Sequence, residues 1–264
     1  MYQFKEQINY KNYFKFRKSI VQNGLWARLP PSTKSIYPVI ACHADKTGEA
    51  FPSEQTIAIL AGCTEKTVRE GLEGMLDMPG VNISSRITKR GHRQKVYTLP
   101  PPKDNESVFY FYKNIIEGGN WCQLRKEYGS RSAHAVYCTL YAFSYFDIDL
   151  YLDLEGLELV NDDEFDEGEF YYCDGLEVIS EDGKTKLLSY KDRNYDFVDA
   201  DIDVIAEYSG IGIGTAEDAL YALTRAHLLN PLPSESGWQI FRIPPKYYKR
   251  DFLNDRIPQQ AIAV

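Results

Sequence analysis

A stretch of this chain near residue 14 returns, altered, near residue 109, and the correspondence then runs through most of the sequence. Phe14-Lys15-Phe16-Arg17-Lys18 sets against Phe109-Tyr110-Phe111-Tyr112-Lys113. The same register carries Ile20 onto Ile115, Gly24 onto Gly119, Trp26 onto Trp121 and Leu29 onto Leu124. After a short insertion Ser32 meets Ser132, Tyr37 meets Tyr137 and Ile40 meets Leu140. After a much longer one Ala58 meets Ala206, Gly62 meets Gly210, Thr67 meets Thr215, Leu72 meets Leu220 and Met75 meets Leu223. The offset grows from 95 to 100 to 148 and never shrinks, the pattern of one duplication with insertions in the second copy. A unit of roughly a hundred residues is a domain, not a solenoid repeat. The expectation is two related domains, residues 1–102 and 103–254, with an insertion in the second at about 147–203 and a tail at 255–264.

Within the first copy, Pro31-Ser32-Thr33 offers a helix start with Ser32 or Thr33 as cap, ahead of Ile36, Tyr37, Val39, Ile40 and Ala41. Pro38 lacks a donor and is expected to kink or delay that helix. Phe51-Pro52-Ser53 makes a second start, with Ser53 as cap and Ile57, Ala58, Leu60 and Ala61 inward. Gly62 can take the positive φ that ends one helix before Thr64 caps the next. The third helix carries Val68, Leu72 and Met75 on one stripe and Glu65, Lys66, Arg69, Glu70 and Glu73 on the other. Pro79-Gly80 stops it, and two extended segments, Val81–Ile87 and Lys95–Leu99, follow around a basic tip at 88–94.

Helix, helix, tight glycine turn, helix and basic hairpin is the order of a winged helix-turn-helix. The run from Phe51-Pro52-Ser53 through Ile57-Ala58, Gly62, Thr64 and Thr67-Val68, with Gly91 and Val96-Tyr97 in the hairpin, resembles one family. It is the winged helix-turn-helix domain of plasmid and phage replication initiation proteins and related bacterial DNA-binding regulators. The resemblance is close over about residues 30–100 and reaches 105–250 only through the internal repeat. It implies an α+β fold, mainly α: tandem winged helices with an acidic insertion in the second. It also implies that the third helix enters a major groove, with Thr64, Glu65, Lys66, Thr67 and Arg69 at its reading end. Arg86, Lys89, Arg90, His92, Arg93 and Lys95 of the wing would then contact backbone or minor groove. Alternatively, Lys66 and Arg69 merely solvate a helix face, paired with Glu70 and Glu73.

The whole-chain charge of −8 conceals a division. Residues 1–100 hold 15 Lys and Arg against 8 Asp and Glu, whereas residues 147–203 hold 4 against 20. A polyanion would be attracted to the first domain and repelled by the segment. In the second copy Gly214 and Glu217 stand where the first has Lys66 and Arg69, and the tip at 233–237 has no cation. A frame kept without its charge suggests protein contact or dimerisation for this copy, or a different DNA-facing surface. Lys246-Tyr247-Tyr248-Lys249-Arg250 is its one remaining cationic cluster. The acidic segment is too rich in leucine and aromatics for a solvated tail, and 170–178 reads as a hairpin through Asp174-Gly175. It could mimic nucleic-acid charge, dock a basic partner, hold a divalent cation through Asp162, Asp163, Glu164 and Asp166, or only solubilise.

At the other end, Tyr10 to Lys18 alternates aromatics with cations and reads either as a base-stacking arm or as a strand burying Phe14 and Phe16. The repeat favours the strand, since Phe109 and Phe111 persist while tyrosines replace both cations. Five cysteines without a C-x-x-C pair read as reduced thiols, with neither a disulfide framework nor a zinc site. No apolar run approaches a bilayer span, and the first residues lack a signal-like apolar region, so a cytoplasmic location is expected. Gly210-Ile211-Gly212-Ile213-Gly214 is not a nucleotide loop, because a helix and not a strand precedes it. No nucleophile elbow or metal-spaced histidine pattern appears, so neither enzymatic activity nor a cofactor is expected. The expected partner is double-stranded DNA, with a homodimer or replication protein contacted through the second domain. Replication initiation leads, transcriptional regulation is the alternative, and a recruiting scaffold is the reading from another class.

Overall fold

The computed structural model describes residues 13–160, 176–180, 182–188, 195–232 and 237–242. Strand β1 (Tyr13–Arg17) leads into the short helices α1 (Lys18–Gln22) and α2 (Leu25–Arg28), then α3 (Pro31–Cys42). The two-residue strand β2 (Glu49–Ala50), helices α4 (Glu54–Ala61) and α5 (Glu65–Met75), and strands β3 (Asn82–Ile87) and β4 (Arg93–Thr98) follow. The order then restarts with β5 (Val108–Tyr112), α6 (Lys113–Glu117), α7 (Asn120–Lys126) and α8 (Ala133–Phe143). Helix α9 (Ile148–Glu155) and strands β6 (Leu157–Leu159), β7 (Leu176–Ser180) and β8 (Thr185–Leu188) interrupt it. It resumes with β9 (Tyr195–Asp199), α10 (Ile202–Ser209), α11 (Ile213–Arg225), β10 (Leu229–Pro231) and β11 (Gly237–Phe241). The fold is α+β with helix as the larger part. Two antiparallel three-stranded sheets, ordered β2-β4-β3 and β9-β11-β10, occupy matching places in the two halves.

The halves meet through contacts that come in matched pairs. Strands β1 and β5 pair antiparallel, with Phe14 opposite Phe111, Phe16 opposite Phe109 and Lys15 opposite Tyr110. Since the sequence repeat equates Phe14 with Phe109 and Phe16 with Phe111, each strand meets its counterpart about a centre at the Lys15–Tyr110 pair. The rings stack across the ribbon at 4.9 Å for Phe14–Phe111 and 4.7 Å for Phe16–Phe109. Trp26 donates its indole N–H to the Ala135 carbonyl at 3.1 Å, and Trp121 donates to the Ser35 carbonyl at 2.9 Å. Gly62, at φ 66°, abuts the backbone of Cys122, and Gly210, at φ 67°, abuts that of Ala27. A side chain at either glycine would strike the facing carbonyl, so close approach and left-handed backbone both require glycine there. One hydrophobic core runs from Phe16 to Ile240 and includes Trp26, Ile40, Leu72, Trp121, Leu140, Val198 and Leu223. The chain divides near 102 in sequence, but its packing crosses that point.

Several local expectations are revised by this packing. Helix α3 starts at Pro31 behind Pro30 with no side-chain cap, because Thr33 turns inward and donates to the Gly71 carbonyl at 2.9 Å. Proline at the first helical position lacks only an N–H that has no intrahelical partner. Pro38 lies inside α3 without ending it, since nearly every residue around it is buried and packing outweighs the one lost backbone bond. The β3–β4 tip is shorter than expected, 88–92, because Arg93 and Gln94 already pair with Ile87 and Arg86.

The acidic insertion builds a small core of its own. Ile148, Tyr151, Leu152, Leu157, Val178 and Leu188 pack with Tyr195, Phe197 and Phe241. The expected limit at 203 is too late: β9 pairs with β11 as the edge of the second sheet, and Val198 belongs to the main core. Asp196, Asp199 and Asp201 disguise that strand as more of the acidic run. Asp196 is in fact buried and pairs with Arg242 at 2.8 Å, while Arg242 also donates to the Tyr112 hydroxyl at 3.1 Å. Of the hairpin expected at 170–178, residues up to 175 lie outside those described, and 176–178 belong to β7, which pairs with β6 and β8. The carboxylates at 162–166, the tip at 233–236, the cluster at 246–250 and the tail at 255–264 also lie outside them.

Candidate nucleic-acid interface

Ser53 caps α4, its hydroxyl accepting from the Thr56 N–H at 3.0 Å. Gly62 turns the chain out of α4, and the Cys63 N–H returns to the Ala58 carbonyl at 2.9 Å. Thr64 caps α5 in the same way, accepting from the Thr67 N–H at 3.2 Å. Val68, Leu72 and Met75 seat α5 against α3. That seating leaves Glu65, Lys66 and Arg69 exposed and Thr67 half-buried beside its cap. The glycine turn thus delivers the first turn of α5 to solvent, with the positive end of its dipole.

The β3–β4 hairpin stands beside that helix. Its tip is closed by the Thr88 N–H to the His92 carbonyl at 2.9 Å, with Gly91 at φ 78°. Lys89, Arg90 and His92 are exposed there. Lys89, Arg90 and Arg93 form no ion pair among the described residues. Arg93 donates to the Ser85 hydroxyl at 3.2 Å, and Arg86 donates to Gln94 Oε1 at 3.2 and 3.3 Å while lying 4.0 Å over the Phe51 ring. A groove of about 580 Å³ runs between the start of α4 and the hairpin, bordered by Phe51, Glu54, Glu65, His92, Arg93 and Lys95.

Glu54 ties these parts together, and sequence reasoning missed it. One carboxylate oxygen accepts from Lys95 on β4 at 2.6 Å and the other from Arg69 Nε on α5 at 2.9 Å. Arg69 also reaches Glu65 at 3.4 Å. Lys95 first, and Arg69 after it, hold the Glu54 carboxyl below the usual range. In sequence Glu54 is only an acidic residue behind a cap, a common dipole complement. Phe51, Ser85 and Gln94, which hold Arg86 and Arg93, carry no stronger signal. Lys66 lies only 4.0 Å from Glu70, an exposed i,i+4 pair that would contribute little. The structure therefore brings Glu65, Arg69, His92, Arg93 and Lys95 together around Glu54, while Lys89 and Arg90 are exposed at the tip with no ion pair among the described residues.

The corresponding surface of the second half has the same frame. Gly210 ends α10, Gly212 precedes α11, and Ala216, Ala219, Leu220 and Leu223 are buried. Its exposed residues are Ile213, Gly214, Thr215, Glu217, Asp218 and Tyr221. Neither α10 nor α11 carries a lysine or arginine before Arg225. Where the two halves meet, the equivalent positions 34 and 134 are both buried and polar. Lys34 donates to the Ala27 and Ser209 carbonyls at 3.0 and 2.8 Å, and burial lowers its pKa to about 8. His134 stacks on Trp121 at 4.1 Å between ring centres, and burial lowers its pKa to about 4. Its Nε2 lies 2.7 Å from the Trp121 carbonyl, which can only accept, so the neutral ring carries its proton there.

A capped helix, a glycine turn and a second capped helix with a solvent-facing first turn form a helix-turn-helix. Residues 27–74 match the family described as "Helix-turn-helix domain". The chain has no significant match among curated proteins or among solved structures. Among the described residues, no helix is long and apolar enough to cross a membrane.

Proposed function

We propose that this chain is a sequence-specific double-stranded DNA-binding protein. In this reading it is a tandem duplication of a winged helix-turn-helix, with a first domain that reads DNA. Helix α5 enters the major groove through Thr64, Glu65, Lys66, Thr67 and Arg69, and the β3–β4 wing grips the backbone through Arg86, Lys89, Arg90, His92, Arg93 and Lys95. The observation that carries this is the single exposed surface on which the first turn of α5 and the hairpin cations stand together, joined at Glu54. The matched contacts of Trp26 with Ala135 and Trp121 with Ser35, and of Gly62 with Cys122 and Gly210 with Ala27, support the duplication. Nothing in this reading calls for catalysis. Resemblance to plasmid and phage initiators favours initiation of replication over transcriptional regulation, and either places the protein with DNA in the cytoplasm.

Titrating labelled duplex at several salt concentrations tests the reading. Affinity should fall with salt by a log–log slope of about 0.9 for each phosphate neutralised. Absence of duplex binding at low salt, with capture of a protein partner through residues 103–264, would replace it with the scaffold reading. A footprint on the neighbouring genome then separates an origin from a promoter.

A further inference from the structure

Symmetric helix-turn-helix dimers bind palindromes because two identical reading heads face one duplex, so the two-fold of the protein becomes the two-fold of the site. Here the elements of such a pairing lie within one chain. Strand β1 meets its counterpart β5 about the Lys15–Tyr110 pair, and Trp26 and Trp121 each donate to an equivalent carbonyl of the other half, Ala135 and Ser35. Isologous pairing is self-complementary, so a strand already paired with its counterpart leaves the corresponding edge unavailable to a second chain.

The two heads are also electrostatically unlike. Helix α11 places Ile213, Gly214, Glu217 and Asp218 where α5 places Glu65, Lys66, Arg69 and Glu70. At the start of α10, Ile202 replaces Glu54, the residue that gathers two cations in the first half. Asp201 and Asp203 flank it and are exposed. A duplex approaching this surface meets carboxylates where phosphate contacts would need lysine or arginine, and a surface of that sign repels it.

We infer that the chain reads DNA through one head only: a single molecule, carrying its dimerisation partner within itself, occupies one non-palindromic duplex site. The inference rests on the DNA-binding reading above. The second helix-turn-helix serves as the packing counterpart that completes the core, and it stays off the DNA.

The test is selection of binding sites from a random duplex pool with the full chain, followed by the mass of the complex in solution. The expected outcome is an asymmetric motif bound by one chain of 30.3 kDa. Enrichment of an inverted repeat, or two chains on each selected site, overturns the inference while leaving DNA binding intact. Enrichment of no sequence overturns the DNA-binding reading and this inference with it. A second arm compares equivalent exposed positions on the selected site. Gly214→Glu, at an exposed position where a side chain meets open space, should leave affinity within about twofold, whereas Lys66→Glu should lower it about tenfold or more, the scale of one good base contact. An equal fall in both variants, each folded by circular dichroism, would mean that both heads lie on the DNA.

Discussion

Where α5 presents Lys66 and Arg69 to solvent, α11 presents Gly214 and Glu217, and where Glu54 gathers Arg69 and Lys95, the second half has Ile202. Beneath both surfaces the frame is the same: a left-handed glycine, a helix seated on Val68 and Leu72 or on Ala216 and Leu220, and a three-stranded sheet beyond. Core positions contribute to stability wherever they are and lose it when changed. Exposed charges contribute little to stability, so they can be replaced without loss of the fold. The difference between the halves therefore separates what holds this architecture from what it presents.

The largest expected effect tests the shared frame. Gly62→Ala and Gly210→Ala each place a methyl against a carbonyl of the other half and strain a left-handed residue. Each should lower unfolding stability by about 3 kcal/mol or more. Because the core is continuous, denaturant should still produce one transition. Two separable transitions would show that the halves are independent domains. Residues 1–102 alone leave the partner of β1 and the acceptor of the Trp26 indole behind, so a monomeric, stably folded fragment would make the same point.

Next comes the pair of equivalent buried groups. His134 has a pKa of about 4 when folded, against 6.5 ordinarily. Between those values the unfolded chain holds the proton and the folded chain does not. Stability should thus fall as pH drops from 6.5 towards 4, by about 3 kcal/mol. Lys34 behaves likewise at the other end, so its contribution should rise as pH increases from about 8 towards 10.5. Urea unfolding across pH checks both, and His134→Gln should flatten the acid limb. An unchanged acid limb would assign it to carboxylates instead.

Smaller effects probe the presented surface. Replacing Lys66 or Thr67 with alanine should cost about 1–3 kcal/mol of discrimination at particular base pairs. Arg90→Ala with Arg93→Ala should weaken all sequences alike and reduce the salt slope by about 0.9 per lost contact. Identical behaviour of the two sets would erase the division between helix and wing. Glu54→Gln frees Arg69 and Lys95, so it should steepen the salt slope by up to about 1.8 and reduce discrimination. Stability should change by less than about 1 kcal/mol. A shallower slope would mean that Glu54 holds those cations in the geometry DNA requires.

The smallest expected effect concerns the insertion. A Gly-Ser connection from Phe146 to Tyr195 keeps β9 and removes most of the acidic run. It should strengthen duplex binding severalfold at low salt and progressively less as screening shortens the field to about 8 Å. Equal affinity at low salt would place the insertion far from the DNA face. A splice to residue 203 is predicted to unfold the second half instead, because it removes Val198 and Asp196 from buried positions.

Much of this molecule is legible in its sequence because the signals are local. Ser53, Gly62 and Thr64 announce caps and a turn through backbone chemistry that needs no partner, and Val68, Leu72 and Met75 declare one buried face by spacing alone. Other features depend on neighbours distant in the chain. Strand β9 reads as acidic loop because Asp196 is acceptable only once Arg242 is buried beside it. Glu54 reads as an ordinary first-turn acid until Lys95, 41 residues away, folds onto it.

The sequence by itself carries the residue-by-residue match between its two halves, the helix-turn-helix signals in the first, and the difference of charge between them, since each is written in spacing and residue type. Only the tertiary structure decided that the two halves meet through matched elements, β1 on β5 and the indole of each half on a carbonyl of the other, within one core. Such a match between halves is equally compatible with separate domains on a linker. What distinguishes the two is burial of surfaces from both copies at once, and no single stretch of sequence contains that contact.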